Sequence, residues 1–285
     1  MTKTKIAFIY DFDKTLSPKD MQEYSFLPDI GISAKEFWKE VNSESKEQKS
    51  DNIITYMQLM IEKATSNNKE NELTRNALKE KGRNIELFEG VENWFELINQ
   101  YSKEKNATIE HYIISAGNKE ILEGTSIANN FKKIYGCSFR FDKNNVAKSA
   151  GLAINYTNKT QFIFRINKGL LDESDNSKIN KYTPEDERPI PFSNMVYFGD
   201  GDTDIPCMKL VKDKGGYSIA VYKPNSSRAK ASELLKEERV NFFFPADYSK
   251  GKELMKNCKL IINKIVAQTE LKELEKKQFK AVNTK

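Results

Sequence analysis

The first residues that could do chemistry are two aspartates directly after an apolar run near the N-terminus. Asp11 and Asp13 occupy alternate positions behind the run at residues 6–10. Paired carboxylates placed in this way can act as a nucleophile and an acid/base, or as ligands of a hard cation. The same spacing also occurs in ordinary turns, so the pair alone does not choose between these functions.

Two further polar groups follow later apolar runs. Ser115, with Ala116 and Gly117, offers a hydroxyl and backbone amides ahead of a helical pattern, an arrangement that suits an anion. Residues 199–204 place three carboxylates in five positions between and beside glycines, which suggests a hard cation. They lack the later glutamate of an EF-hand loop, which disfavours calcium by that route. A strand-ending turn and an acidic turn or helix N-cap are the alternatives.

The apolar runs themselves predict strands that would bring these groups together. Continuous apolar runs indicate strands buried on both faces. The predicted strands lie at residues 6–10, 112–114, 195–198, 217–221 and 241–244. Amphipathic helical patterns alternate with them at residues 91–103, 119–132, 160–168, 226–238 and 250–268. This alternation predicts an α/β fold with a doubly wound, mostly parallel sheet. Ligands bind at the carboxyl edge of such a sheet, so Asp11, Ser115 and Asp200 are expected to converge.

Residues 17–87 interrupt the strand–helix alternation. Their helical patterns fall at residues 34–41, 53–63 and 70–81. We predict a small helical domain there, inserted into a core made of residues 1–16 and 88–270. Residues 172–191 are rich in Asp, Glu, Ser, Asn and Pro, which predicts an exposed, mobile loop. Residues 271–285 are predicted to form a charged C-terminal tail.

Composition excludes several classes of protein. The 285 residues are 38% hydrophobic, too apolar for a disordered chain, and no apolar run approaches the ~20 residues that span a bilayer. Ten lysines and four glutamates give residues 250–285 a charge of +6, which leaves −1 of the net +5 for the rest. That distribution lacks the basic stripe of a nucleic-acid partner. The three cysteines lie far apart, which predicts reduced thiols in the cytoplasm. His111 is the single histidine, which disfavours a histidine triad or zinc site.

Taken together and in this order, the motifs resemble those of the haloacid dehalogenase superfamily of phosphohydrolases. They are DFDKTL at 11–16, IISAG at 113–117, a lysine before a helix, and GDGDTDIP at 199–206. The resemblance extends over residues 5–268 and implies a Rossmann-like core. The helical insertion at 17–87 resembles the cap domain that members of this superfamily place after the first motif.

The resemblance implies a role for each acidic residue. Asp11 would be the nucleophile that forms an aspartyl-phosphate, and Asp13 would protonate the leaving oxygen and then deprotonate the attacking water. Mg²⁺ would bind the Asp11 carboxylate, the Asp13 backbone carbonyl and Asp200. Asp204 would support the site from behind these ligands.

The resemblance also implies a phosphate site. Ser115, Ala116 and Thr15 are assigned to it, together with a lysine that also stabilises Asp11. Lys159 stands at the start of the predicted helix and matches the family pattern better than Lys168, at its far end.

The branch of the superfamily follows from smaller details. Asp13 stands where dehalogenases have no acid, and a leaving alkoxide needs a proton whereas a halide does not. The motifs look most like the phosphoserine-phosphatase-like group, without implying phosphoserine as substrate. We expect a small phosphorylated metabolite, and Glu23 is a candidate specificity residue, with an exposed helix glutamate as the alternative. A phosphotransferase and a non-catalytic binding module of the same fold are the rival functions.

Overall fold

In the computed structural model, which describes residues 3–283, the chain folds around a seven-stranded sheet. The strands are β1 Thr4–Tyr10, β2 Ala107–Asn118, β3 Lys133–Phe141, β4 Ala147–Leu152, β5 Met195–Gly199, β6 Tyr217–Tyr222 and β7 Phe242–Pro245. Their order in the sheet is β4-β3-β2-β1-β5-β6-β7. Neighbouring strands run parallel except for the antiparallel pair β3 and β4. The predicted fold class is confirmed.

The central strand β1 explains where a ligand would bind. Ile9 pairs with Tyr112 of β2 on one side and with Tyr197 of β5 on the other. From β1 the chain proceeds outward through β2, β3 and β4, and then returns to the opposite side of β1 as β5. A doubly wound sheet has its ligand crevice at such a reversal, outside the carboxyl ends of the strands. The carboxyl ends of β1, β2 and β5 therefore meet there.

Helices connect the strands. They are α1 Phe26–Asp29, α2 Ala34–Gln48, α3 Asn52–Ser66, α4 Arg75–Lys81, α5 Val91–Glu104, α6 Lys119–Leu122, α7 Lys159–Lys168, α8 Ile205–Asp213, α9 Ala229–Lys236 and α10 Glu253–Asn283. Single 3₁₀ turns lie at Met21–Glu23, Glu70–Leu73, Gly82–Asn84, Ala128–Asn130, Glu185–Glu187 and Phe192–Asn194. Helices α5 and α10 pack against each other, as do α7 and α8. Among residues 3–283, no helix is both long enough and apolar enough to cross a membrane.

The predicted helix at residues 119–132 is wrong. The chain forms one helical turn, α6, and then a loop that leads into β3. Gly124 explains the break, because its backbone lies directly against α4. A Cβ built on this glycine would fall 1.7 Å from the Lys79 carbonyl oxygen, so this close approach requires glycine.

Strands β3 and β4 were not predicted. The sequence of β3 mixes Lys133, Ser138 and Arg140 with apolar residues, and β4 reads Ala-Lys-Ser-Ala-Gly-Leu. Strand β4 lies at the edge of the sheet and several of its residues are partly exposed, so it needs no continuous apolar run. The continuous apolar run that predicts a strand buried on both faces is therefore absent from this end of the sheet.

Between β1 and α5 the chain forms α1 to α4 in the predicted helical region. An isolated bridge between Thr74 and Val146 joins this helical layer to the β3–β4 hairpin. The domain boundaries at residues 17 and 87 stay a prediction. Residues 271–283 of the predicted tail continue α10, whose last buried residue is Val266. Residues 284 and 285 of that tail, and residues 1 and 2 of the predicted core, lie outside the described residues.

The segment at residues 172–191 is largely exposed, as predicted, but its first part is anchored in a way the composition did not reveal. The Arg165 side chain is 1% exposed and donates hydrogen bonds to the carbonyl oxygens of Asp172, at 2.7 Å, and Asp175, at 3.1 Å. Lys168, three residues further along α7, donates to the carbonyl oxygens of Ile179 and Lys181. The C-terminal half of α7 therefore holds this loop.

Candidate active site

The turn after β1 presents the first pair of aspartates. The Asp11 amide donates to the Phe198 carbonyl oxygen at 2.9 Å, so Asp11 is fixed to β5 at the strand end. The chain then reverses, with the Leu16 amide bonded to the Phe12 carbonyl oxygen at 2.8 Å and Lys14 in the left-handed region at φ 59°. Asp13 Oδ1 accepts the Met21 amide at 2.9 Å, which ties the turn to the start of the helical layer.

The loop after β5 folds its third aspartate, Asp204, beneath the strand end. Asp204 Oδ2 accepts the Asp200 amide at 3.3 Å, and Asp204 Oδ1 accepts the Tyr197 hydroxyl at 2.7 Å. A Cβ on Gly199 would lie 2.4 Å from Asp204 Oδ2, so the carboxylate reaches this position only because residue 199 is glycine. The first glycine of the Gly-Asp-Gly motif, Gly199, is therefore required because it packs against a carboxylate.

A fully buried lysine connects the two aspartate loops. Lys159 opens α7, and its Nζ lies 2.8 Å from Asp11 Oδ1 and 2.6 Å from Asp204 Oδ1. It is 0% exposed, as is Asp204, and Asp11 is 5% exposed. Lys168, the alternative from the sequence, instead bonds the carbonyl oxygens of the 172–191 loop. The structure thus brings Lys159 to the aspartates and leaves Lys168 at the other end of the helix.

The last residues of β2, where its pairing with β3 shifts register between Ile114 and Asn118, complete the edge. Ser115 is 1% exposed, and its Oγ accepts the Gly117 amide at 3.0 Å. The Ala116 carbonyl oxygen accepts the Tyr56 hydroxyl at 2.7 Å. A Cβ on Gly117 would lie 3.0 Å from Asp13 Oδ2, which shows how closely this turn approaches the first one.

Burial and mutual repulsion perturb the carboxyl groups. Burial first, and then Asp204, raise the pKa of Asp11 to about 7 and that of Asp200 to about 6. Burial, with Asp20 and Asp11 adding to it, holds the pKa of Asp13 well above its usual range. Burial alone would lower the pKa of Lys159, but Asp11 and Asp204 raise it above its ordinary value, so the lysine stays charged. The site therefore has an excess of negative charge.

This carboxylate cluster fits a divalent cation. Asp11, Asp200 and Asp204 each offer an oxygen, and these atoms all lie within 4.8 Å of one another. Within residues 3–283, Lys159 is the one cation that forms an ion pair with any of the three. Oxygen donors with uncompensated charge are what Mg²⁺ and Ca²⁺ take. Both Asp204 oxygens already accept hydrogen bonds, which agrees with a supporting position behind Asp11 and Asp200.

A cavity of about 330 Å³ opens above Asp11, Asp13 and Asp200. Most of the other residues that line the cavity have no role assigned from the sequence. Those at or near the carboxyl edge of the sheet are Lys14, Asp20, Gln22, Gly117, Asp202, Thr203 and Lys230, with Ala116 from the predicted phosphate site. Those from the helical layer are Trp38, Val41, Asn42, Asn52, Ile53 and Tyr56, with Tyr156 from the turn before α7. Asp20 and Lys14, which pair at 2.8 Å, lie close to the first motif in the sequence, whereas nothing in the pattern of α3 marks Tyr56.

Five predicted residues do not line the cavity: the buried Ser115, Lys159 and Asp204 described above, and also Thr15 and Glu23. Thr15 is 0% exposed, and its Oγ1 has no hydrogen-bond partner among the described residues, while its carbonyl oxygen accepts the Tyr248 hydroxyl at 2.8 Å. Glu23 accepts the Trp38 indole N–H at 3.0 Å. Glu23 thus supports a lining residue from behind, and its role in specificity stays a prediction.

Comparison with known proteins identifies the family of this chain. The sequence model of the family described as haloacid dehalogenase-like hydrolase matches residues 8–209. The chain belongs to this family. A protein of Borreliella burgdorferi, described only as uncharacterized, is 31% identical over 274 residues, which cover 87% of this chain and 93% of that protein.

Solved structures with the same fold share little sequence. A hydrolase of the family from Salmonella enterica serovar Typhi has a TM-score of 0.54 and 16% identity, covering 89% of this chain and 73% of that one. A phosphoserine phosphatase with an analogue of its phospho-aspartyl intermediate has a TM-score of 0.51 and 16% identity, covering 85% and 94%. A probable phosphoserine phosphatase from Vibrio cholerae has a TM-score of 0.54 and 14% identity, covering 94% and 67%. These likenesses concern the fold.

Proposed function

We propose that this protein is a Mg²⁺-dependent phosphatase that hydrolyses a small phosphomonoester through an aspartyl-phosphate. One observation carries the proposal: Asp11 lies on the cavity wall, held by the buried Lys159 at 2.8 Å and grouped with the Asp200 and Asp204 carboxylates. A carboxylate fixed in this way has the position of a nucleophile, and its neighbours have the charge to hold a cation.

In the first half-reaction, an Asp11 carboxylate oxygen attacks phosphorus while the bond from phosphorus to the ester oxygen breaks. Asp13, two residues further on and also in the cavity wall, gives its proton to the leaving oxygen. Lys159 holds Asp11 in one orientation and keeps a positive charge next to the phosphoryl group. The Met21 amide fixes the Asp13 carboxyl group on the opposite side of the turn.

In the second half-reaction, water attacks the phosphorus of the aspartyl-phosphate, and Asp13 accepts the proton of that water. The bond between phosphorus and the Asp11 oxygen breaks, which returns the carboxylate and releases phosphate. One carboxyl group acting first as acid and then as base completes the proton balance.

A bound Mg²⁺ would be held by the Asp11 and Asp200 carboxylates, with the Asp13 carbonyl oxygen as the further ligand that the family resemblance implies. Its chemistry is to neutralise the phosphate against the surrounding carboxylates. Asp204 acts from behind, because it anchors Lys159 and the Asp200 amide at the same time. The Ser115 turn, including Ala116, and Thr15 are our remaining candidates for phosphate contacts.

The cavity suits a small substrate. Its helical-layer wall carries aromatic and carboxamide side chains, and its two outer lysines already face acids: Lys14 lies 2.8 Å from Asp20, and Lys230 lies 3.2 Å from Asp202. We therefore propose a phosphorylated metabolite with one phosphate. The three buried, free cysteines support the proposal that the protein works in the cytoplasm.

The test is phosphate release from an activated aryl phosphate and from a panel of phosphorylated metabolites. We expect turnover with Mg²⁺, loss of turnover with EDTA, and recovery when Mg²⁺ is added back. Turnover that survives exhaustive chelation contradicts the metal assignment. If the alcohol is released but the phosphoryl group passes to an added polyol and not to water, the protein is the phosphotransferase alternative.

A further inference from the structure

Helix α3 of the helical layer contacts two separate turns of the catalytic edge. We call residues 115–117, the irregular end of β2, the phosphate turn. Residues 153–158 are the lysine turn, because they lead directly into Lys159. The N-terminal part of α3 reaches the first turn through Tyr56 and the second through Asp51. Both contacts are hydrogen bonds between segments far apart in the sequence.

The Tyr56 contact fixes the phosphate turn by its backbone. Tyr56 is 3% exposed and its hydroxyl donates to the Ala116 carbonyl oxygen at 2.7 Å. The Cys137 thiol of β3 donates to the same oxygen at 3.1 Å. The Ala116 carbonyl is therefore held from the sheet and from α3 together. Its orientation sets the direction of the Gly117 amide, which shares the same peptide group.

The Asp51 contact fixes the lysine turn. Asp51 Oδ1 caps α3 by accepting the Ile53 amide at 2.9 Å, and its Oδ2 accepts the Asn155 side-chain amide at 2.9 Å. Asn155 organises the turn: its Oδ1 accepts the Thr157 amide at 3.1 Å. Its carbonyl oxygen also accepts the Lys159 amide at 3.1 Å.

We propose that Tyr56 and Asp51 are positioning residues, which make the seating of α3 a condition for an ordered catalytic edge. Neither side chain reaches the reacting atoms in this role. Tyr56 acts through the Ala116 peptide, and Asp51 acts through Asn155 on Lys159 and thereby on Asp11. The inference rests on the proposed phosphatase function for its kinetic consequences, but its structural content is independent of that function.

The chain offers a sharp test of the Asp51 contact. Asp51→Asn keeps the capping oxygen of α3, because asparagine caps helices as well as aspartate does. It also places an amide donor against the Asn155 amide donor. Asn155→Asp keeps the oxygen that bonds Thr157 and places a carboxylate against the Asp51 carboxylate. The double variant D51N/N155D restores one donor and one acceptor with the direction of the bond reversed.

We expect each single variant at Asp51 and Asn155, and Tyr56→Phe, to lower kcat on p-nitrophenyl phosphate about tenfold, the usual scale for one lost hydrogen bond in a buried site. KM should change less than kcat, because the loss concerns the placement of Lys159 and the phosphate turn. The double variant should recover most of the wild-type rate.

Matched controls separate positioning from general stability. Ser33→Ala removes the cap of α2, in the same helical layer, where Ser33 Oγ accepts the Glu36 amide at 3.2 Å. Tyr101→Phe removes a hydroxyl that donates to Asn263 at 2.9 Å, between α5 and α10. Both controls should keep the wild-type kcat.

Hydrogen exchange supplies a readout that does not depend on activity. Amides of the two turns should exchange faster in Tyr56→Phe and Asp51→Asn, with β6 and β7 unchanged as internal reference. If the wild-type protein releases no phosphate, the proposed function fails, and exchange alone decides on the seating of α3. Wild-type rates in the single variants, no recovery in the double variant, or faster exchange spread over the whole sheet would each overturn the inference.

Discussion

Two buried polar networks begin at adjacent residues, the last residue of β1 and the residue that follows it, and they differ in charge balance. In the first, the Trp94 indole N–H donates to the Tyr10 hydroxyl at 2.8 Å, and that hydroxyl lies 3.1 Å from His111 Nδ1. His111 Nε2 in turn lies 3.0 Å from Asn99 Oδ1. If Tyr10 donates to Nδ1, then Nε2 carries the proton and donates to Asn99. Every member is then neutral, and each ring group has a partner.

The second network starts at Asp11, the next residue, and its charges do not cancel. Lys159 bonds Asp11 and Asp204, Tyr197 adds a neutral donor to Asp204, and Asp200 faces the same centre. Part of the network also opens to a cavity, which the Tyr10 network does not line. The comparison teaches that burial alone does not identify a functional site. An unbalanced set of buried charges beside a cavity does, because binding must supply the missing charge.

The largest expected effect is the removal of the Asp11 charge. Asp11→Asn should lower phosphate release by about 10⁴-fold, since an amide cannot attack phosphorus. The melting temperature should stay within a few degrees, because burial already disfavours the charged carboxylate. Steady-state assays and thermal unfolding check both statements. Substantial hydrolysis by a sequence-verified variant would exclude Asp11 as the nucleophile.

Removing the cation should damage both stability and activity. Lys159→Met leaves Asp11 and Asp204 without their counter-charge, and breaking a buried pair costs about 3–5 kcal/mol. Urea unfolding measures the loss, and phosphate release should fall with it. Lys168→Met is the matched control from the other end of α7, and it should retain activity. A larger loss of activity in the control would reassign the lysine of the site.

The neutral network predicts a pH dependence of stability. Burial lowers the pKa of His111 from about 6.5 to about 3. The unfolded chain therefore binds more protons than the folded chain between these values, and stability falls as pH falls below about 6.5. The slope from one such group is about 1.4 kcal/mol per pH unit. His111→Gln should reduce that slope.

Urea titrations with chelator present at each pH measure the difference between wild type and His111→Gln. No other histidine exists to confuse the comparison. Parallel pH profiles for the two proteins would mean that His111 does not resist protonation in the folded state.

The smallest expected effect concerns Glu23. Glu23→Gln keeps an oxygen for the Trp38 indole N–H. Because a neutral acceptor only replaces a charged one, kcat/KM should change less than about twofold. Substrate-panel kinetics provide the measurement. A change of substrate preference would restore Glu23 to the specificity role that the sequence suggested.

The sequence predicted which side chains meet at the carboxyl edge of the sheet, because strand ends alone determine that convergence. Asp11, Ser115 and Asp200 follow continuous apolar runs, and such runs form central strands of a parallel sheet whatever their loops do. Lys159 required the family pattern, since a lysine at a helix start has no signature of its own. Its two bonds, to Asp11 and Asp204, depend on the packing of α7 against α8 and β2.

What the sequence did not predict has specific physical reasons. Strand β4 packs as an edge strand with small and polar residues, so no apolar run marked it. Tyr56 and Asp51 belong to an amphipathic helix in which a core tyrosine and a capping aspartate look ordinary. The hydrogen-bond network of His111 has no sequence signature, because Tyr10 lies 101 residues away and nothing marks Asn99 as a partner.

The most direct test of the central claim is the mass of the protein during turnover. Asp13→Asn should accept a phosphoryl group from an activated aryl phosphate, whose leaving group needs no proton, and then hydrolyse it slowly. Acid quenching followed by peptide mass spectrometry should find one added phosphoryl group on the peptide that contains Asp11, and none in D11N/D13N. Turnover with no phosphorylated peptide, or with the group on another residue, would contradict the account.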